Sequence, residues 1–151
     1  MQTIKIALAL TLAALCTAAV AQRALVPIVD YKNVSIATGS GKPVTAEQVR
    51  DAISAAGKRL SWTMASAPNN GLVGTLVVSG KHTISVDVAV TADRYSVTYR
   101  NSINMKYGVA GKPAYASSAN PVREGTIVIH PAYNQWVQAL VTAMDSELKK
   151  L

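Results

Sequence analysis

Two histidines, His82 and His130, are the side chains best suited to acid–base or metal chemistry near neutral pH, and they stand 48 positions apart with no ligand spacing around either. A zinc site would need carboxylates brought to them by folding, so His82 is read as a turn residue and His130 as the residue just outside a helix start. Gly39-Ser40-Gly41-Lys42 has the Gly-Lys ending of a phosphate-binding loop, but Ile36 stands where the first glycine belongs and Pro43 where the magnesium-binding hydroxyl belongs. Neither Ser40 nor Ser79 lies in a G-x-S-x-G elbow. The eight acids are scattered, with no sequence-near pair of the glycosidase kind. If the chain were an enzyme, His130, Asp87 and Tyr99 would be the groups to carry the reaction, as a small envelope hydrolase. Their convergence in one concave pocket would favour that reading, and their dispersal would favour a binding module.

These residues must be held by elements that the hydrophobic pattern makes legible. Leu25 to Ile36 reads as an opening strand, with Pro27 near its start marking an edge or an irregular entry. Thr45 with Gln48 three residues later is a capping box, so a helix starts at Ala46; Val49, Ala52, Ile53, Ala56 and Leu60 keep to one of its faces. Lys58 and Arg59 fall in its last turn, where cations suit the helix dipole.

From Ser61 the period becomes alternating, and four strands follow. Trp62 and Met64 lie two apart in the first, Pro68 to Gly71 is a turn, Leu72 to Ser79 is the second strand, and His82 to Thr91 the third. A two-residue turn at Ala92-Asp93 pairs Val90 with Tyr95, Val88 with Val97 and Val86 with Tyr99. That register puts all six on one face and Ser85, Asp87, Thr98 and Arg100 on a wet one. At the preceding hairpin, a three-residue loop through His82 is favoured, pairing Val78 with Ile84 and Leu76 with Val86.

Residues 102–126 show little periodicity, and a loop that long inside a compact domain is either functional or mobile. Thr126 to Ile129 adds a short strand. Pro131 opens a last helix of about five turns, in which Tyr133, Trp136, Val137, Leu140, Val141, Met144, Leu148 and Leu151 repeat at three and four residues. That spacing assigns Tyr133 and Trp136 to core packing, with anchoring of a partner as the alternative. The fold class is α+β: an antiparallel sheet of about four to five strands with two helices packed on one face, in the order β-α-β-β-β-β-α.

Composition limits what such a domain can do. The 151 residues carry a net charge of +7, one cysteine, no phenylalanine and eight aromatics, too few for a stacking platform on single-stranded nucleic acid. Residues 1–21 read as a signal peptide: Lys5 is the only charge, Ile6 to Ala14 is apolar, and Ala19-Val20-Ala21 precedes a cut before Gln22. The apolar run is shorter than the roughly 20 residues of a spanning helix. Lipidation at Cys16 is not expected, because Leu15 stands where a small residue is required. Residues 22–151 then form a single domain without cysteine, charge +6, that must be stabilised by its core alone. Thiol chemistry is excluded from that form. The bases run from Lys32 to Lys150 over every element, which suits an anionic envelope component or an acidic envelope protein better than nucleic acid.

Several segments carry a resemblance: Gly41-Lys42-Pro43-Val44-Thr45-Ala46-Glu47-Gln48-Val49, Gly80-Lys81-His82-Thr83, Tyr95-Ser96-Val97-Thr98-Tyr99, Asn104-Met105, and His130 with Tyr133-Asn134-Gln135-Trp136-Val137. In these the chain resembles a family of small, uncharacterised exported proteins of Gram-negative bacteria, periplasmic or lipoprotein-like. The resemblance implies a location in the envelope and brings no activity. The expectation is a non-enzymatic periplasmic binding or envelope-associated module without a cofactor, acting through the wet sheet face or the 102–126 loop. A purely structural envelope role is a further alternative. The candidate binding residues are Arg100, Lys106, Tyr107, Lys112 and His130.

Overall fold

A computed structural model of the chain describes residues 24–111 and 122–151. The expected signal peptide, Cys16 and Lys112 lie outside the described residues. The elements run β1 (Val26–Pro27), β2 (Tyr31–Ser35), α1 (Ala46–Arg59), β3 (Thr63–Ser66), β4 (Leu72–Val78), β5 (His82–Val90), β6 (Arg94–Ile103), β7 (Gly108–Val109), β8 (Ile127–Ile129) and α2 (Ala132–Leu148). The class is α+β as expected, but with two antiparallel sheets instead of one: a five-stranded sheet in the order β2-β6-β5-β4-β3 and a three-stranded one in the order β1-β8-β7.

The second sheet arises because the opening strand divides. Pro27 has no N–H to donate on a second side, and β1 accordingly sits at an edge of the small sheet. Between β1 and β2 the chain is tied to α2 by Asn134, whose Nδ2 donates to the Pro27 carbonyl at 2.8 Å while its Oδ1 accepts from Val29 N–H at 3.1 Å. β2 then crosses to the large sheet and pairs with β6.

In the large sheet, Val90 faces Tyr95, Val88 faces Val97 and Val86 faces Tyr99, the expected register. A bulge follows between Ser85 and Val86: Ser85 pairs with Asn101, so Arg100 is the extra residue on β6. The outer face is also less wet than expected. Ser85 is buried, and its hydroxyl shares a 3.0 Å hydrogen bond with that of Thr75 on the neighbouring strand. The β4–β5 hairpin departs from expectation by two residues: Val78 pairs with His82 and Leu76 with Ile84, so the loop is Ser79 to Lys81. Ser79 and Gly80 both take left-handed backbone angles (φ 53° and 64°), and Lys81 N–H closes the turn on the Val78 carbonyl. A shift of two preserves the faces, and Leu72 and Leu76 remain in the core.

Both helices cover one face of this sheet. Thr45 caps α1 through the full capping box, its hydroxyl accepting from Gln48 N–H at 3.1 Å and its own N–H donating to the Gln48 side chain at 2.9 Å. Val49, Ile53 and Ala56 of α1 join Val86, Val88, Tyr95 and Val97 of the sheet and Val137, Leu140, Met144 and Leu148 of α2 in one core. α2 begins one residue after Pro131, which serves as its N-cap, and it ends at Leu148; Leu151, expected in the helical stripe, packs on the core from beyond the helix end. Trp136 is likewise partly buried against this core. The expected loop over 102–126 is shortened, since β6 runs to Ile103 and β7 pairs with β8. No helix among the described residues is long and apolar enough to cross a membrane.

Candidate functional site

Where the two sheets meet, β6 delivers one tyrosine and the chain leading into β7 delivers another. Tyr99 follows the alternation of β6 onto the same face as Val86 and Val97, and Tyr107 returns over it. The rings lie 6° from parallel with centroids 4.6 Å apart. Tyr133, in the first turn of α2, meets Tyr99 edge-on at 5.6 Å and 65°. Quadrupoles favour both arrangements, offset stacking for the first pair and an edge on a face for the second.

Tyr99 and Tyr107 border a groove of about 430 Å³, lined also by Pro27, Ile28, Asp30, Thr126 and Ile127. Its small-sheet wall is built by pairing: Val109 lies opposite Ile127, and Ile28 N–H donates to the Ile127 carbonyl. Asp30 is the one charged residue among the described residues of the lining. Its Oδ1 accepts from the Tyr99 N–H at 3.1 Å, and its Oδ2 lies 3.4 Å from the Nζ of Lys32, a well-exposed side chain. Tyr107 is half exposed, whereas Tyr133 is 1% exposed. Burial raises the Tyr133 hydroxyl above the ordinary tyrosine range, with the negative charge of Asp30 and then the neighbouring Tyr99 adding to the effect. The Tyr99 hydroxyl shares a 3.1 Å hydrogen bond with Ser102.

Of the three groups considered for catalysis, Asp87 and Tyr99 lie on opposite faces of the large sheet. Asp87 lies opposite Thr98 on the outer face of the large sheet, where its Oδ1 accepts from Arg100 Nη1 at 2.7 Å; Tyr99 points to the other face. Asp87 and Arg100 are therefore a half-exposed ion pair across two strands. His130 follows β8, its N–H donating to the Met105 carbonyl at 2.8 Å and its Nδ1 accepting from Ala132 N–H at 3.2 Å, so the ring serves the start of α2. Lys106, at a left-handed φ of 52°, immediately precedes Tyr107. His82 lies at the start of β5, not in the preceding turn, and its Nδ1 is 3.0 Å from the Asn104 carbonyl. Among the described residues, no three His, Cys, Asp or Glu side chains gather where they could hold a metal ion.

Of the candidate binding residues that are described, Tyr107 alone lines the groove. Sequence reasoning missed Asp30, Ile28 and Ile127, whereas its reading of Tyr133 as core packing agrees with a ring that is buried in the core. The signal for Asp30 was present, an isolated acid within the apolar run Val26 to Tyr31. A smaller hollow of about 160 Å³ lies between β2 and the end of α2, lined by Val34, Ser35, Ala37, Asp145, Leu148 and Lys149; its carboxylate is engaged by the Tyr95 hydroxyl at 2.6 Å. Comparison of the chain with protein-family models, with curated proteins and with solved structures finds no match in any of the three.

Proposed function

We propose that this chain is a non-enzymatic binding module of the cell envelope whose recognition element is the groove between the two sheets. The observation that carries the reading is the groove itself: a concave, mainly apolar surface with a half-exposed tyrosine and a single carboxylate, the usual composition of a small-ligand site. The sheet separates Asp87, paired with Arg100 on its outer face, from Tyr99 on the other, which supports binding over hydrolysis. The envelope location rests on the apolar leader and on the family resemblance. It replaces the wet sheet face, where Asp87 and Arg100 satisfy one another, as the surface that works.

The test is a photo-reactive amino acid placed at Tyr107 in one strain and at Thr98 on the outer face in another, followed by irradiation of intact cells. An adduct of defined mass formed from position 107 and lost in the Asp30→Asn background supports the reading. Adducts from position 98 alone would move the working surface to the outer face and overturn it.

A further inference from the structure

We propose that the groove takes an organic ammonium group, with the cationic head beside Asp30 and the Tyr107 ring and its hydrocarbon against Ile28 and Ile127; this rests on the groove being the recognition element. The lining fits this chemistry and fits others poorly. Among the described lining residues an anion would find no basic side chain, only the Thr126 and tyrosine hydroxyls as side-chain donors, and it would face Asp30. Among the described lining residues a carbohydrate would find two polar side chains, Asp30 and Thr126, besides the tyrosine hydroxyls. An ammonium finds a carboxylate and an aromatic face, the two groups that attract it, next to apolar walls suited to methyl or methylene groups.

The charge of the groove opposes that of the molecule. In a chain of net charge +7, the one ionised group among the described lining residues is an acid. Distant bases are screened beyond about 8 Å at physiological ionic strength, whereas a carboxylate in contact is not, so the local charge decides. Lys32 competes from 3.4 Å, but it is a well-exposed side chain in a surface pair. Such surface pairs are weak, and an incoming ammonium displaces one at little cost. Tyr107 is half exposed, and Tyr99 stacked on one of its faces fixes its orientation.

The experiment compares choline with 3,3-dimethylbutan-1-ol, the neutral isostere in which carbon replaces the quaternary nitrogen. Each is titrated into the purified full chain carrying carbon-13-labelled tyrosine, and the ring resonances of Tyr99 and Tyr107 are followed, with Tyr31 as internal control. Choline is expected to shift both resonances saturably, with the isostere weaker by about tenfold, the effect of one close cation–π and carboxylate contact. Asp30→Asn keeps the acceptor for the Tyr99 N–H and removes the charge; it should bring choline down to the level of the isostere. Equal affinity for the two probes, or choline binding unchanged in Asp30→Asn, overturns the ammonium assignment while leaving the groove a binding site. Silence of both ring resonances with either probe also overturns it. The photo-adduct from position 107 then decides separately whether the groove binds anything.

Discussion

Tyr99 and Tyr107 stack face to face across the junction of the two sheets, so the half-exposed ring is held in place by the inner one. Such a pair contributes about 0.5–1.5 kcal/mol beyond its buried area. Tyr107→Ala should therefore lower the unfolding free energy by about 1 kcal/mol in urea titration, and Tyr107→Phe, which keeps the stack, by less than about 0.5 kcal/mol. Equal losses for the two would mean that the hydroxyl, not the ring, holds this segment.

The groove's other wall depends on Asn134. Its amide bonds the backbone on both sides of Ile28, as a neighbouring strand would, and each bond is worth about 0.5–1.5 kcal/mol. Asn134→Ala should cost about 1–3 kcal/mol and speed hydrogen exchange at the Val29 amide. Asn134→Asp retains the acceptor for Val29 but no donor for Pro27, so its exchange at Val29 should stay slow while stability falls part of the way. Slow exchange at Val29 in Asn134→Ala would show that the strand is held by its sheet partners alone.

What could be read ahead of the structure follows the range of the interactions involved. The register of Val86, Val88 and Val90 against Tyr99, Val97 and Tyr95 was legible because a two-residue turn and strict alternation determine it locally. The Thr45 cap was legible for the same reason, since both partners lie within one turn. β1 and β7 were not, because two residues are too few to show a period and their pairing depends on β8, far away in the chain. The bulge at Arg100 carries no glycine or proline to announce it. The site shared that fate: Asp30 and Tyr99 are 69 positions apart and meet only because β2 and β6 are neighbours.

Thr45 offers a test of the local part. Both halves of the capping box are made in α1, and loss of an N-cap hydroxyl costs about 0.5–2 kcal/mol. Thr45→Ala should fall in that range by thermal unfolding, and Thr45→Ser should be close to neutral. Adding Gln48→Ala to Thr45→Ala should cost less than the two single losses together, because the bonds are reciprocal. Additive losses would mean that the two halves act independently.

Gly39 tests how the loop before α1 is held. A Cβ built there would collide with the backbone carbonyl of Lys149 at the end of α2, which cannot rotate away, whereas one at Gly41 meets nothing but is strained by a φ of 64°. The same loop is anchored by Ser40, whose hydroxyl donates to the Leu151 carbonyl at 2.6 Å. Gly39→Ala should therefore displace the loop and speed proteolysis near Lys42, while Ser40→Ala, which loses one exposed bond, should have the smaller effect. A Gly39→Ala variant cleaved no faster than the parent would show that the loop clears α2 without loss of order.

Alkaline titration probes the core. Tyr95 is 1% exposed, and burial first, then its hydrogen bond to Asp145 and that residue's charge, raise its hydroxyl above the ordinary tyrosine range; Tyr133 is raised by burial, Asp30 and Tyr99. In both, the folded state holds a proton that the unfolded chain releases near pH 10. Since the folded state then binds more protons, stability must fall as pH rises. The contribution is complete below about pH 10 and is lost progressively above it as pH climbs toward the folded values. Absorbance at the tyrosinate band should therefore show Tyr95 and Tyr133 silent near pH 10, then appearing together with loss of the helical signal. In Tyr95→Phe the decline of the urea midpoint above pH 10 should be shallower than in the parent, because one of the two protons is no longer released. A midpoint that stays level through this range in the parent would mean that neither hydroxyl is held as the geometry requires.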